Sequence, residues 1–433
     1  MKSISKKVAV SSFSFSAVVL IGAAASMTNA CTITSTDTSD GGDIFGDGAT
    51  GDGGPLVQPT LPFQPSNITI AGHDLSQIGD ANITSDCSID TSADDLSGGV
   101  CFPSDVEWIA TQSDGTQAHV FVVNSLTVAQ TAKLSVSGGL PAIIVSIHDV
   151  TLMGPVLANA KFDRAGPGGF SQTTGFTKGS GPGGGAAGVK AAGTPDSENG
   201  AVAGISGGGG SFCGTGGQGV GEGLFDNGVG PVTTAIPPAS PAYGASDLRP
   251  LVGGSAGGVG GLSSAGSGGG AIQIVAGGTF TLGSLASINV GGGGGSDSGE
   301  TNAGQQASAG GSGGAILIEA TTATITGALA ANGGGGGAKD ADGQDATPDA
   351  NPALGGTDNS TAAGGPGGAA AVQNGTNGVV PAGQFAAGAG GGGAGRIRIN
   401  TLTGAATLSG IVSPAASTPC VSQGSLRGLD AGT

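Results

Sequence analysis

Apolar residues alternate with other residues in several short segments of the chain. A period of two is the pattern of a β-strand with one buried face. Segment 271–289 is similar to segment 315–332 at an offset of 44 residues, and further copies span 396–412 and 142–159. The residues predicted to point inward are Ile272, Ile274, Ile316, Ile318, Ile397 and Ile399, and in the copy at 142–159 they are Ile143, Val145 and Ile147.

Each copy continues with a second short apolar strand, a turn and a third apolar position. The second strand carries Phe280 and Leu282, or Leu152, and the third position is Leu285 or Leu329. Repeated units of roughly 20–50 residues are typical of solenoids, and glycine and β-branched residues disfavour helix. We therefore expect an all-β chain folded as a parallel β-helix. The upstream segments that predict one more turn of it are 126–128 and 134–136.

Glycine is unevenly distributed along the chain. There are 93 glycines among 433 residues, and 72 of them lie in residues 161–400. The tracts next to the repeated strands are 207–210, 291–295, 333–337 and 390–393. Two alternatives are open for them. They are either long surface loops inserted at turns of the β-helix, or extended polyproline II-like segments that pack together, because glycine permits close backbone approach.

The composition divides the chain into six parts. These are a signal peptide (1–30), a flexible tether rich in Ser, Thr, Asp and Gly (31–62), an N-terminal β-rich section with the first β-helix turns (63–160), a glycine-rich insertion (161–270), the repeated β-helix turns with glycine-rich loops (271–412) and a C-terminal tail (413–433). The signal peptide is predicted from Lys2, Lys6 and Lys7, an apolar stretch and the small residues that follow it. We expect no second membrane span, since no later apolar run is long enough.

Cys31 is the candidate lipidation site. A small residue before a cysteine is typical of bacterial lipoproteins, although Thr28 stands where a leucine is usual. Lipidation of Cys31 leaves an even number of cysteines, which suits disulfides in an oxidising compartment. The alternative is ordinary cleavage after Ala30. We expect an outer-membrane lipoprotein of the cell envelope, or otherwise a secreted protein.

The four other cysteines are Cys87, Cys101, Cys213 and Cys420. Cys87 and Cys101 are 14 residues apart and bracket a turn-rich stretch, which predicts a local disulfide between them. Cys213 and Cys420 then pair by elimination. This second bond would link the glycine-rich insertion to the end of the repeated strands.

These features together resemble a known group of proteins. The signal and Cys31, the tether, and the strings GGSGGAILIEA (310–320), ANGGGGG (331–337) and GGGAGRIRIN (391–400) are similar to uncharacterised glycine-rich surface lipoproteins of myxobacteria. The strands also resemble those of right-handed β-helix proteins of the pectin-lyase type. The first resemblance covers most of the chain and implies no known activity. The second implies a right-handed β-helix.

The chemistry available along the chain is sparse. A formal net charge of −17 excludes the binding of nucleic acid as a main function, because the phosphate backbone repels an acidic chain. Glycoside hydrolysis needs two carboxylates, whereas Glu319 is the only acid within the three later repeats. Arg396 and Arg398 form an outward basic pair. We predict no catalytic residue and no cofactor, and a carbohydrate-active enzyme, a lyase or hydrolase, is the alternative.

Three aspartates are candidate calcium ligands. Asp340, Asp342 and Asp345 supply hard oxygen ligands next to a glycine turn. Their spacing matches neither an EF-hand nor a calcium β-roll, so a flexible acidic linker is the default interpretation. No other metal site is predicted.

The expected function is that of a non-catalytic exported cell-envelope lipoprotein with a structural, adhesive or matrix-contact role. Its partners would be a membrane, through the lipid anchor, and extracellular polysaccharide or other envelope components. A secreted module that binds polysaccharide or ice would need a flat, regular threonine face. Thr321, Thr322, Thr324 and Thr326 fit such a face, but the pattern is not sustained in the other repeats.

Overall fold

The computed structural model describes most of the chain after residue 59. The described residues are 60–92, 101–102, 106–172, 174–189, 205–221, 239–261, 264–297, 306–357, 362–380 and 387–428. Within these ranges the regular elements are all β-strands, and most of the strand pairs are parallel. The expected all-β fold is therefore confirmed, and the parallel pairing agrees with the repeated strand pattern.

The strands follow the apolar repeats along the chain. They are β1 (Ala81–Ile83), β2 (Cys87–Asp90), β3 (Glu107–Thr111), β4 (Gln117–Val123), β5 (Leu126–Val128), β6 (Leu134–Ser137), β7 (Ala142–Ser146), β8 (Val150–Leu152), β9 (Val156–Leu157), β10 (Val220–Gly221), β11 (Ala271–Leu282), β12 (Ser287–Asn289), β13 (Ala315–Ile325), β14 (Ala328–Ala330), β15 (Ala387–Gly388), β16 (Arg396–Thr401), β17 (Thr407–Leu408), β18 (Ile411–Ser413) and β19 (Val421–Ser425).

Two large sheets contain nearly all of these strands. The first has the main order β1-β5-β8-β11-β13-β16-β19, and β4 and β7 extend it beside β11. The second has the order β18-β14-β12-β9-β6-β2. Neighbours in each sheet are successive repeats, paired in parallel, and the antiparallel exceptions among the strands are β3 with β4 and β10 with β15.

The repeat offset seen in the sequence is also the strand register. Ala271 pairs with Ala315 and Ala276 pairs with Ala320, an offset of 44 residues. After an irregularity in β11 the offset becomes 43, because Thr279 pairs with Thr322. The extra residue falls at a pair of glycines, where a bulge is easily accommodated.

The two sheets enclose one apolar core. Residues that alternate along the strands, such as Ile274, Phe280 and Leu282, are fully buried in it. Leu329 lies in this core as expected, but Leu285 is 73% exposed, and Ile288 occupies the corresponding inward position in its repeat. The prediction for Leu285 was wrong because the turn between the two strands is longer than the alternation suggested.

The predicted orientation of the strand at 142–146 was also wrong. Ile272 pairs with Ala142, so Ala142 and Ile144 face the core between the sheets. Ile143 and Val145 face the other side, where they join a second apolar cluster. Both faces of this strand are buried, and a strand of this kind shows no alternation that could distinguish its faces.

The second cluster lies on the outer face of the first sheet. The outward residues Val120, Ile143 and Leu317 pack there against two covering segments. One segment runs from 61 to 75 and includes Phe63, and the other includes Leu248 and Leu251. Covering this face removes it from water, and each large apolar side chain contributes about 1.5–3 kcal/mol. The outer face of the first sheet is therefore a second core at these strands.

The glycine tracts form an array of extended segments. Segment 306–314 lies inside it, and all of its residues are buried. Its N–H groups donate with a period of three residues: Ser308 and Gly311 to segment 290–296, Ala309 and Ser312 to segment 255–258, and Gly310 and Gly313 to segment 390–393. Its carbonyl groups accept from segments 207–210, 266–269 and 334–337. Three residues per turn is the period of the polyproline II helix.

This hydrogen bonding decides between the two alternatives for the glycine tracts. Tracts 207–210, 291–295, 333–337 and 390–393 are buried and bonded to one another, so they are not surface loops. A Cβ atom on Gly311 would fall against the carbonyl oxygen of Ser267, closer than the 3.0 Å below which real contacts essentially never occur. Glycine is needed here because the backbones of neighbouring segments touch.

Candidate functional site

A row of threonines crosses the first sheet. Thr281 lies between Phe280 and Leu282, which are both buried in the core, so its side chain points outward. The registered positions on the neighbouring strands also carry threonine. In spatial order the row contains Thr127 on β5, Thr151 on β8, Thr281 on β11, Thr324 on β13 and Thr407 on β17, and Asn82 on β1 continues it at one end.

The threonine row is regular and reaches the surface. Neighbouring strands in a sheet are about 4.8 Å apart, so one hydroxyl group follows another at about that interval. Thr407 is exposed, and the four other threonines of the row are half-buried. In the described part of the chain, none of the five hydroxyl groups has a hydrogen-bond partner. The row therefore presents five free donor and acceptor groups.

A second polar row runs beside the first, two residues earlier on each strand. Thr279 and Thr322 pair in register, and their hydroxyl oxygens are 3.3 Å apart. Asp149, which precedes β8, accepts a hydrogen bond of 2.6 Å from the backbone N–H of Thr279. This row therefore changes from hydroxyl groups on β11 and β13 to a carboxylate beside β8.

A further carboxylate lies at the β1 end of the second row. Oδ1 of Asp80 accepts hydrogen bonds of 2.7 Å from both Ser125 Oγ and Asn124 Nδ2. The hydroxyl of Ser125, followed by the amide of Asn124, holds the pKa of Asp80 below its ordinary value. Asp80 is exposed and therefore carries its negative charge at neutral pH.

The threonine row corrects the interpretation of the sequence. Thr322 and Thr324 lie on this face as expected, whereas the hydroxyls of Thr321 and Thr326 donate to backbone carbonyls. The pattern is sustained in the other repeats through Thr151 and the rest of the row. A comparison of the repeats at offsets of 43 and 130 residues would have aligned these positions, but the bulge in β11 shifts the register by one residue.

Glu319 occupies the outer face of β13, where an active-site acid was considered. Its carboxylate is fully buried and accepts hydrogen bonds from Gln273 Nε2 at 2.8 Å and Asn400 Nδ2 at 3.1 Å. Ser66, on the covering segment 61–75, donates its backbone N–H at 2.8 Å and its hydroxyl. All four groups are donors, which suits an ionised carboxylate. The geometry makes Glu319 the acceptor that fastens the covering segment to the sheet.

The two arginines of β16 have separate partners. The guanidinium of Arg396 donates to the carbonyl oxygen of Tyr243 at 3.3 and 3.4 Å and lies 5.9 Å from the centre of the Phe212 ring. Burial lowers the pKa of Arg396. Nε of Arg398 donates to Asn400 at 2.6 Å. Both side chains are half-buried rather than fully outward, and both are used in packing.

Two contacts made by side chains of β3 were not foreseen. His119 and Glu107 are both buried, with Nε2 and Oε2 3.5 Å apart. His73 stacks on Trp108 with ring centres 3.7 Å apart, beside a cleft of about 430 Å³ that residues of segment 60–75 line. No sequence signal connects these pairs, because each joins residues on separate elements.

The three candidate calcium ligands have different partners. Asp345 Oδ1 accepts hydrogen bonds from Phe162 N at 3.1 Å and Gly294 N at 2.9 Å. Asp342 Oδ1 accepts one from Asp297 N at 2.8 Å, and Asp340 lies 3.9 Å from the ammonium group of Lys339. Over the described ranges, no group of three or more His, Cys, Asp or Glu residues could hold a metal ion.

The structure contains both disulfides. Cys87 is bonded to Cys101 and Cys213 to Cys420, each with a Cα–Cα distance of 5.6 Å. Cys31 lies outside the described residues. Among the residues that the structure describes, no helix is long and apolar enough to cross a membrane.

Comparison with known protein families, with curated proteins and with solved structures finds no match for this chain. The chemistry of the surfaces described above is therefore what indicates a function for this protein.

Proposed function

We propose that the protein is an exported, non-catalytic component of the cell envelope with a structural, adhesive or matrix-contact role. Its body would be a right-handed parallel β-helix. Support comes from the two sheets, in which successive repeats lie next to each other in parallel and in register. The glycine array, which connects the end of one repeat to the start of the next, would form the remaining side of each turn.

The observation that carries this proposal is the threonine row, which reaches the surface of the first sheet. Five hydroxyl groups at regular intervals suit contact with a repetitive partner more than the binding of one small substrate. The row lies on a hydrogen-bonded sheet whose other face packs on the apolar core. The alternative of a carbohydrate-active enzyme would require a second carboxylate beside Glu319, whereas the groups that contact Glu319 are hydrogen-bond donors.

Export is supported by the disulfides and by the N-terminal sequence. Structural disulfides form and persist in oxidising compartments outside the cytosol. The Cys213–Cys420 bond joins the glycine array to the start of β19, so the fold uses it as a long-range connection. The apolar N-terminal stretch before Cys31 would direct export, and a lipid on Cys31 would anchor the protein to the outer membrane.

The anchor is tested with the variant Cys31→Ala. We expect the full chain to incorporate a fatty-acid label in vivo and to sediment with membranes, and the variant to lose the label and leave the membrane fraction. The variant Thr28→Leu, which introduces the usual leucine, is the matched control and should keep the label. Absence of label on the unmodified chain would overturn the lipoprotein part of the proposal.

A further inference from the structure

We propose that the threonine row binds an extended, uncharged polysaccharide that lies along the direction in which the strands stack, with successive sugars on successive strands. This inference rests on the proposed envelope function and names the partner of its exposed face. The row contains Thr127, Thr151, Thr281, Thr324 and Thr407.

The spacing of the row suits such a chain. Stacked strands place equivalent hydroxyl groups about 4.8 Å apart. An extended β-linked polysaccharide advances by a similar distance with each sugar, so each strand meets the hydroxyl groups of one sugar. A periodic ligand on a periodic surface repeats one weak contact several times along the chain, and linked contacts bind more tightly than separate ones.

The side chains of the row are prepared for binding. Each hydroxyl can donate one hydrogen bond and accept two, and none of the five has a partner within the described chain. Threonine is β-branched and sits on a strand, so its side chain has little rotational freedom to lose on binding. Thr279 and Thr322 extend the hydroxyl surface beside Thr281 and Thr324.

The charges on this face select the kind of polysaccharide. Asp80 and Asp149 lie in the row next to the threonines, and the whole chain carries a formal charge of −17. Like charges repel, so a polyanionic chain of uronic acids is disfavoured. A neutral sugar instead offers hydroxyl donors to the two carboxylates.

The same carboxylates argue against an ordered water lattice as the ligand. A surface that binds ice needs a uniform array in both directions. Here the second row has hydroxyl groups at Thr279 and Thr322 but carboxylates at Asp149 and Asp80. Only the first row is uniform over five strands, which favours a linear ligand over a two-dimensional one.

The test compares binding of the full chain to three insoluble neutral polysaccharides: cellulose, chitin and a β-1,3-glucan. The variant combines Thr151→Val, Thr281→Val and Thr324→Val, which removes three hydroxyl groups and keeps the side-chain shape. We expect binding to at least one polysaccharide and a loss of about tenfold or more in the variant, since the losses of three hydrogen bonds multiply in the dissociation constant.

Two control proteins separate loss of the hydroxyls from loss of the fold. The triple Thr→Ser variant at the same positions keeps the hydroxyl groups and should retain binding. Thr111→Val changes an exposed strand threonine outside the row and should bind as the unmodified chain does. Circular dichroism and thermal unfolding establish that each variant is folded.

Three results would overturn the inference: no binding of the unmodified chain to any of the polysaccharides, equal binding by the triple valine variant, or inhibition of ice growth without polysaccharide binding. These results are separate from the test of the lipid anchor. A labelled, membrane-bound protein that binds no polysaccharide would leave the proposed function standing and remove only the partner named here.

Discussion

Tyr243 is the single tyrosine of the chain, and its hydroxyl group is held inside the protein. The hydroxyl donates to the carbonyl oxygen of Gly253 at 2.6 Å and accepts from Ser255 Oγ at 2.9 Å. Its ring packs against Phe212, with ring centres 4.7 Å apart. Tyr243 thus connects its own segment to the part of the glycine array at 253–255. Burial away from water raises the pKa of its phenol.

The raised pKa predicts how the protein responds to alkali. A group whose pKa is higher in the folded state stabilises the protein fully below its unfolded pKa, which is about 10 for tyrosine. That stability is lost as pH rises through the folded pKa. Ultraviolet absorbance should show no phenolate in the folded protein near pH 10, and urea-unfolded protein is the control. Formation of phenolate in the folded protein near pH 10, the ordinary pKa of tyrosine, would contradict the buried position of the Tyr243 hydroxyl.

Residue-scale prediction from the sequence worked where the apolar pattern had one buried face. Ile397 and Ile399 are core residues, as predicted, and their neighbours on the strand are the polar residues Arg396, Arg398 and Asn400. Ile143 could not be oriented in this way, because it lies on a strand that is buried on both faces. The role of Glu319 could not be predicted from the sequence either, since its hydrogen-bond donor Ser66 lies 253 residues away in the chain.

The glycine tract is the element that departs most from ordinary β proteins. Gly392 donates to Gly334 O at 2.8 Å, and a Cβ atom on Gly392 would fall on the carbonyl of Gly311. The obstacle is backbone, which cannot rotate away as a side chain can. Position 392 therefore requires glycine for the same reason of close backbone approach as the interior of a collagen triple helix.

The variant Gly392→Ala should destabilise the protein. Overpacking of a tight interior costs about 1–3 kcal/mol or more, and we expect a loss in this range in urea unfolding. Gly139→Ala is the matched control, because a Cβ atom there meets nothing within 4 Å, and it should change stability little. Equal stability of the two variants would contradict the close packing of the array.

At the scale of the element, the amino-acid composition showed where the glycine tracts lie in the chain, but not how they are arranged in space. The tract residues are mostly glycine, alanine and serine, and these carry no apolar periodicity that could indicate a neighbour. The partners of segment 306–314 lie in six other parts of the chain. The threonine row was missed for a related reason, because the bulge in β11 separates repeats that a constant offset would align.

The whole molecule is held together by one short-range and one long-range disulfide. Cys87 and Cys101 are separated by 14 residues, and Cys213 and Cys420 by 207 residues. A cross-link removes conformational freedom from the unfolded chain, and the effect grows with the length of the closed loop. The long-range bond also joins the glycine array to the start of β19, and so connects two parts of the fold with different packing.

Removal of the long-range bond should therefore cost more stability. In the chain-entropy relation the Cys213–Cys420 loop stabilises by about 5 kcal/mol and the Cys87–Cys101 loop by about 3 kcal/mol. Paired Cys→Ser variants at each site, compared by urea unfolding at constant protein concentration, measure the difference. A larger loss for the Cys87–Cys101 variant would mean that local strain or packing outweighs loop closure.

The sequence by itself determined local features: where the repeated strands form, their offset of 44 residues, and the two cysteine pairs. The strands and their repeat follow from side-chain periodicity, which is a local property of the chain. The cysteine pairs follow from the spacing and the number of the cysteines. The tertiary structure decided which face Ile143 takes, how the glycine tracts bond and that the threonines form one row. Each of these depends on the register between segments far apart in the chain. The residue pattern does not specify that register in glycine tracts, in bulged strands or in strands buried on both faces. In these elements the register is determined by backbone packing.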